Sequence, residues 1–136
     1  MEIRKISDAL SVASQICAAD VATIKAAGFV AIVNNRPDGE VADQPWNDDI
    51  EEEAERLGIP YHYVPVINAP FAPIMIEKTR VIMEQYSGPI LFFCRTGTRA
   101  TWLWAFSQAG KVPEAELISL AAEAGYDLSK LAGHLS

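Results

Sequence analysis

The stretch LFFCRTGTRAT, Leu91 to Thr101, carries an apolar run that ends on a cysteine and passes at once into arginine, threonine and glycine. The run Ile90 to Phe93 predicts a strand buried on both faces, the pattern of a parallel sheet. From Thr98 to Ala109 the sequence predicts a helix. A loop leading from such a strand into a helix aims successive backbone N–H groups inward, forming an anion-binding nest backed by the positive end of the helix. Gly97 supplies backbone freedom where that loop must turn.

Working outward, Ser87-Gly88-Pro89 turns the chain into the strand, and Ile76 to Tyr86 predicts an amphipathic helix after a proline-rich loop. Tyr61 to Val66 predicts another strand, and Asn47 to Leu57 another helix, closed by Gly58-Ile59-Pro60. The carboxylates Asp48, Asp49, Glu51, Glu52 and Glu53 complement the positive end of that helix and read as a solvated face. NNRPDGE, Asn34 to Glu40, breaks regular structure after the buried strand Phe29 to Val33. Ala19 to Ala27 predicts a helix ended by Gly28, and the opening segment a short hairpin around Ser7-Asp8. Glu114 to Ala124 predicts the last helix, ended by Gly125.

Strand and helix thus alternate, which predicts one three-layer α/β domain over residues 1–136 with a largely parallel sheet. Ligands bind such sheets beyond the carboxyl ends of the strands. Asn34-Asn35-Arg36 and Cys94 are therefore expected at the same edge.

A chain of 136 residues that is 50% hydrophobic suffices for one sizeable core. Eleven basic against eighteen acidic residues leave a net charge of −7, which argues against nucleic acid or an anionic membrane as partner. A small anion needs a local positive site instead. The N-terminus lacks a secretory pattern and no apolar segment approaches membrane-spanning length, so the expectation is a soluble cytoplasmic protein. Cys17 and Cys94 lie in unlike surroundings and fit free thiols in a reducing compartment.

Nearby cations and N–H donors favour a thiolate, so Cys94, with Arg95 and Arg99 beside it, is a candidate nucleophile. The competing reading is a small buried hydrophobe that caps the strand. Arg99 is the candidate clamp, because its planar fork suits an oxyanion. Thr96, Gly97 and Thr98 complete the anion site, and Arg95 is expected at its mouth. Arg36, with Asn34 and Asn35, is placed to orient the loop or the donor; holding the loop by hydrogen bonds is the alternative for the asparagines.

CRTGTRA resembles the C-R-x-G-x-R loop of rhodaneses, whose cysteine carries a persulfide sulfur. The chain as a whole resembles instead the bacterial protein-tyrosine-phosphatase-like family, described as beta-lactamase hydrolase-like or phosphatase-like and found alone or fused to persulfide dioxygenase domains. IRKISDALSVASQI, the AADV helix start, VAIVNNRPDGE and the segment around Cys94 carry that likeness. It implies a dual-specificity-phosphatase-like fold and a persulfide dioxygenase as partner.

Two departures from the tyrosine phosphatases bear on activity. Their H-C-x5-R motif has five residues between cysteine and arginine, whereas four separate Cys94 from Arg99, and Phe93 replaces the histidine. Their general acid is an aspartate following the strand before the long helix; VPVINAPFAP, Val64 to Pro73, holds Asn68 and no acid. Asp38 reads as a turn residue in Pro-Asp-Gly. The expected activity is a sulfurtransferase that moves a sulfane sulfur from a small anionic donor such as thiosulfate, through a Cys94 persulfide, to a thiol or cyanide. The alternatives are a tyrosine or dual-specificity phosphatase with a Cys94 phosphocysteine, and a non-catalytic module that carries persulfide or anion.

Trp102 and Trp104 fall on different helix faces, one for the core and one for the pocket wall. His62 and His134 lack partners at metal-ligand spacing, and neither a G-x-S-x-G elbow nor a nucleotide loop is present, so no metal or cofactor is implied. Cys17 is not placed as C-x-x-C.

Overall fold

The computed structural model describes residues 1–135. β1 (Ile3–Lys5) and β2 (Leu10–Ala13) form the expected hairpin, with Ile3 opposite Ala13. A 3-10 turn at Ala18–Asp20 leads into α1 (Val21–Ala26), and β3 (Ala31–Asn34) follows. Then come α2 (Asn47–Leu57), β4 (Tyr61–Tyr63), α3 (Pro73–Gln85), β5 (Ile90–Phe93), α4 (Thr98–Gln108) and α5 (Glu114–Glu123), with a 3-10 turn at Ser129–Leu131.

The sheet runs β1-β2-β5-β3-β4. β5 is central, parallel to β2 on one side and to β3 on the other, and β1 alone runs antiparallel. Every residue of β5 is buried, because alternate side chains feed opposite faces. Ile90 and Phe92 join Val12, Val33, Leu103 and Leu117 in one apolar cluster, while Leu91 and Phe93 join Val21, Ile24, Ile32 and Ile50 in the other. The sheet is therefore covered on both faces, by α1 and α2 on one and by α3, α4 and α5 on the other.

Three boundaries differ from the sequence expectation. The strand expected over Tyr61 to Val66 is regular only to Tyr63, since Pro65 has no N–H to give a ladder; Val64 and Val66 still donate to the carbonyls of Asn34 and Asn35. α3 starts at Pro73 rather than Ile76, where the fixed φ of proline suits the first helical turn. β3 is displaced to Ala31–Asn34, carrying Asn34 into the sheet.

Candidate active site

Parallel pairing of β5 with β2 and β3 brings three strand ends to one edge. The register sets Phe93 opposite both Ala13 and Asn34, so the segments that follow leave the sheet side by side. The Asn35 N–H donates to the Phe93 carbonyl at 2.8 Å, and the Gln15 N–H donates to the Arg95 carbonyl at 3.2 Å. Cys94 is thus gripped between two neighbouring loops, as the sequence anticipates for the Asn34-Asn35-Arg36 side.

Cys94 is 1% exposed and ends the apolar cluster on the α4 face, while Arg95 and Thr96 are exposed and form the rim above it. The chain reverses at Gly97, with φ +94°, which caps α4. Its N–H donates to Cys94 Sγ at 3.1 Å. Thr101 Oγ1 donates to the Gly97 carbonyl at 2.7 Å and fastens the loop to the first turn of the helix, and Thr96 Oγ1 donates to Thr98 Oγ1 at 3.1 Å. The sulfur therefore sits at the floor of a loop on the positive end of an eleven-residue helix.

Arg99 stands beside this floor, and its orientation is set by a residue that the sequence reading passed over. Glu40 accepts from Arg99 Nη1 at 2.7 Å and from Nη2 at 2.8 Å, and the Val66 carbonyl accepts from Nη1 at 3.0 Å. Those bonds use the far end of the guanidinium. The guanidinium also hydrogen-bonds towards Cys94, so the donors not held by Glu40 and Val66 lie beside the sulfur, where they suit an anion. Hydrogen bonding to Glu40 strengthens Arg99's hold on its proton, burial opposes this, and the charge on Cys94 acts with Glu40. The Arg99 hydrogen bonds pull the Glu40 carboxyl down to about 2 against burial, and Arg36 assists.

Arg36, expected to orient the loop or the donor, is turned to the loop side. It is 4% exposed, donates from Nε to Glu40 at 2.9 Å and from Nη1 to Gln15 at 3.0 Å, and so braces Glu40 from behind. Asn34 accepts from the Arg36 N–H at 2.8 Å and donates to Asn47 at 3.1 Å, while Asn35 donates to the Val64 carbonyl at 2.9 Å. The asparagines hold loops. Asp38 lies in the expected turn, where its carboxylate accepts from the Asn47 N–H at 2.8 Å at the start of α2.

A cleft of about 270 Å³ opens beside Arg99, lined by Asn68, Ala69, Phe71, Thr98 and Trp102. Trp102 walls it, and Trp104, 3% exposed, packs in the core, so the two tryptophans divide as expected. A larger groove of about 470 Å³ between β4 and α3 touches no residue of the Cys94 loop. His62 is hydrogen-bonded to Tyr86 at 2.6 Å, and no His/Cys/Asp/Glu cluster able to hold a metal occurs among the described residues.

A mostly parallel, helix-covered sheet with a cysteine loop and an arginine at the carboxyl edge defines a phosphatase-like α/β domain. The chain belongs to the family described as beta-lactamase hydrolase-like protein, phosphatase-like domain, which it matches over residues 2–111. It is 32% identical over 132 residues to a beta-lactamase hydrolase-like protein of Xylella fastidiosa (strain Temecula1 / ATCC 700964), covering 96% of this chain and 31% of that protein. A namesake from Agrobacterium fabrum (strain C58 / ATCC 33970) is 31% identical over 130 residues, covering 94% of this chain and 30% of that protein. The chain therefore spans about a third of the length of the curated relatives it matches. Among solved structures, a candidate phosphatase from Neisseria meningitidis Z2491 superposes with a TM-score of 0.84 at 33% identity, covering 100% of this chain and 97% of that one. A candidate phosphatase from Shewanella putrefaciens CN-32, at 19% identity and a TM-score of 0.69 over 90% of this chain and 93% of that one, shares the fold. No helix among the described residues is long and apolar enough to cross a membrane.

Proposed function

We propose that this phosphatase-like domain is a sulfurtransferase whose nucleophile is the Cys94 thiolate. The thiolate attacks the outer sulfur of thiosulfate or a related sulfane donor; the S–S bond breaks and sulfite leaves with the bonding pair. The resulting persulfide rests under the Gly97 N–H and Arg99. A thiolate acceptor, or cyanide in an assay, then attacks the terminal sulfur and restores the Cys94 thiolate.

One observation carries this choice: the two carboxylates of NNRPDGE, the segment that lies beside Cys94, are committed elsewhere. Asp38 caps α2, and Glu40 is ionised between Arg36 and Arg99. Cleavage of a phosphoester draws on a proton donor for its leaving oxygen, whereas sulfite departs as a stable anion. The loop of four residues between Cys94 and Arg99 is also better sized for one sulfur than for a phosphoryl group with three oxygens. A reducing, cytoplasmic setting suits such thiol chemistry.

The second reading is a phosphatase working through a Cys94 phosphocysteine, and the family match and the fold of the superposed structures speak for it. Wild type and Cys94→Ser, compared for thiocyanate formation from thiosulfate and cyanide and for p-nitrophenyl phosphate hydrolysis, decide between them. The expected result is thiocyanate formation that Cys94→Ser abolishes, with a gain of about 32 Da on the thiosulfate-treated wild type from the persulfide sulfur. Turnover of the phosphate ester alone establishes the second reading.

A further inference from the structure

The Cys94 loop is met by a side chain from late in the sequence. Tyr126 follows α5, is 8% exposed, and donates its hydroxyl to the Thr96 carbonyl at 3.0 Å. No second donor among the described residues reaches that carbonyl. The Thr96–Gly97 peptide is trans, so the carbonyl and the Gly97 N–H point to opposite sides of one rigid plane. While Tyr126 holds the carbonyl on one side, the N–H on the other faces Cys94 Sγ at 3.1 Å.

We infer that Tyr126 is a positioning residue for the Cys94 thiolate, acting through the plane of the Thr96–Gly97 peptide. Two further observations support the assignment. A Cβ at Gly97 would lie 2.2 Å from the Tyr126 hydroxyl, so the loop carries glycine where the tyrosine reaches it. The ring is itself anchored: Arg4 lies 5.6 Å from its centroid and donates from Nη1 to the Ala124 carbonyl at 2.9 Å. A Cβ at Gly125 would lie 2.2 Å from that same Nη1, so the second glycine makes room for the arginine. Burial also keeps the phenol protonated, as a donor must be. The path from sheet edge to sulfur thus runs Arg4, Tyr126, one peptide plane, Cys94.

The inference rests on Cys94 as the nucleophile, and its test uses iodoacetamide, which needs neither thiosulfate nor a phosphoester. A failed sulfur-transfer assay therefore leaves it standing. The alkylation rate of Cys94 is followed against pH by peptide mass spectrometry in wild type and Tyr126→Phe, with exposed Cys17 as internal reference. In Tyr126→Phe the half-maximal rate moves up by about one pH unit while the plateau at high pH and the Cys17 profile stay put, as expected for loss of one hydrogen bond to a charged group. Overlapping Cys94 profiles in a folded Tyr126→Phe overturn the assignment. The Gly97 amide proton shift in the wild-type protein gives a reading that needs no variant. It is expected to titrate together with alkylation, and a Gly97 amide indifferent to that titration equally overturns the proposal.

Discussion

At the scale of single residues, Glu40 has the largest consequence for the site. It joins two arginines far apart in sequence, Arg36 of its own loop and Arg99 of the first turn of α4, the candidate anion clamp. Glu40→Gln keeps the shape and removes the charge that holds Arg99 in place. Sulfur transfer is then expected to fall about 10²-fold, the scale of a misplaced binding group. The same carboxyl links folding to pH, being held at about 2 instead of the ordinary 4.5. A depressed carboxylate stabilises the fold above its unfolded value and loses that contribution as pH falls through the folded one. Because Glu40 is exposed, solvent screening discounts that displacement, and the contribution is about 1 kcal/mol. Thermal unfolding should therefore separate wild type from Glu40→Gln by a constant margin at neutral pH, and the margin should close between 4.5 and about 2. A margin that persists in acid contradicts the ion-pair account. Cys94, Gly97 and Arg99 were legible in the sequence because anion chemistry is concentrated there within a few residues. Glu40 was not: its NNRPDGE segment reads as turn chemistry, and nothing in the order of residues says that it meets Arg99.

At the scale of elements, the turn from β5 into α4 decides whether the sulfur faces amides or the core. Both elements were predicted nearly to their ends, since a fully apolar four-residue strand admits few other readings. β4 and α3 were misjudged at the prolines, where a missing N–H and a fixed φ override side-chain pattern. Gly97 tests the turn. Its φ of +94° disfavours a side chain, and a Cβ there would overlap the Tyr126 hydroxyl. Gly97→Ala is expected to lose about 1–3 kcal/mol from backbone strain and a further amount from the overlap. A double-mutant cycle separates the two: in urea unfolding, Gly97→Ala should cost less in a Tyr126→Phe background than in wild type. Equal costs in both backgrounds would place the tyrosine away from the turn.

At the scale of the whole molecule, the sheet has two covers, and the cover on the α4 face is completed by the last part of the chain. Leu117, Leu128, Leu131 and Leu135 are buried in the same apolar cluster as Phe92, Leu103 and Trp104, and Tyr126 joins them on the way to the Cys94 loop. The helix over Glu114 to Ala124 was legible from its apolar spacing; the packing of the segment beyond it was not, because Leu128, Leu131 and Leu135 are spaced as on a helix, yet between Gly125 and Gly133 only a short 3-10 turn forms. Each buried leucine contributes about 1.5–3 kcal/mol, so together they rival the whole stability of a small domain, about 5–15 kcal/mol. Ending the chain after Val112 therefore removes more than an appendage, since it strips away the part of one cover that α5 and the tail supply and withdraws the hydroxyl bonded to Thr96. Such a truncated protein is expected to lose its cooperative thermal transition by circular dichroism and to expose apolar surface to a hydrophobic dye. If it instead melts cooperatively near the full-length temperature, α5 and the tail are accessory to the fold, and the support that Tyr126 gives the loop is separable from stability.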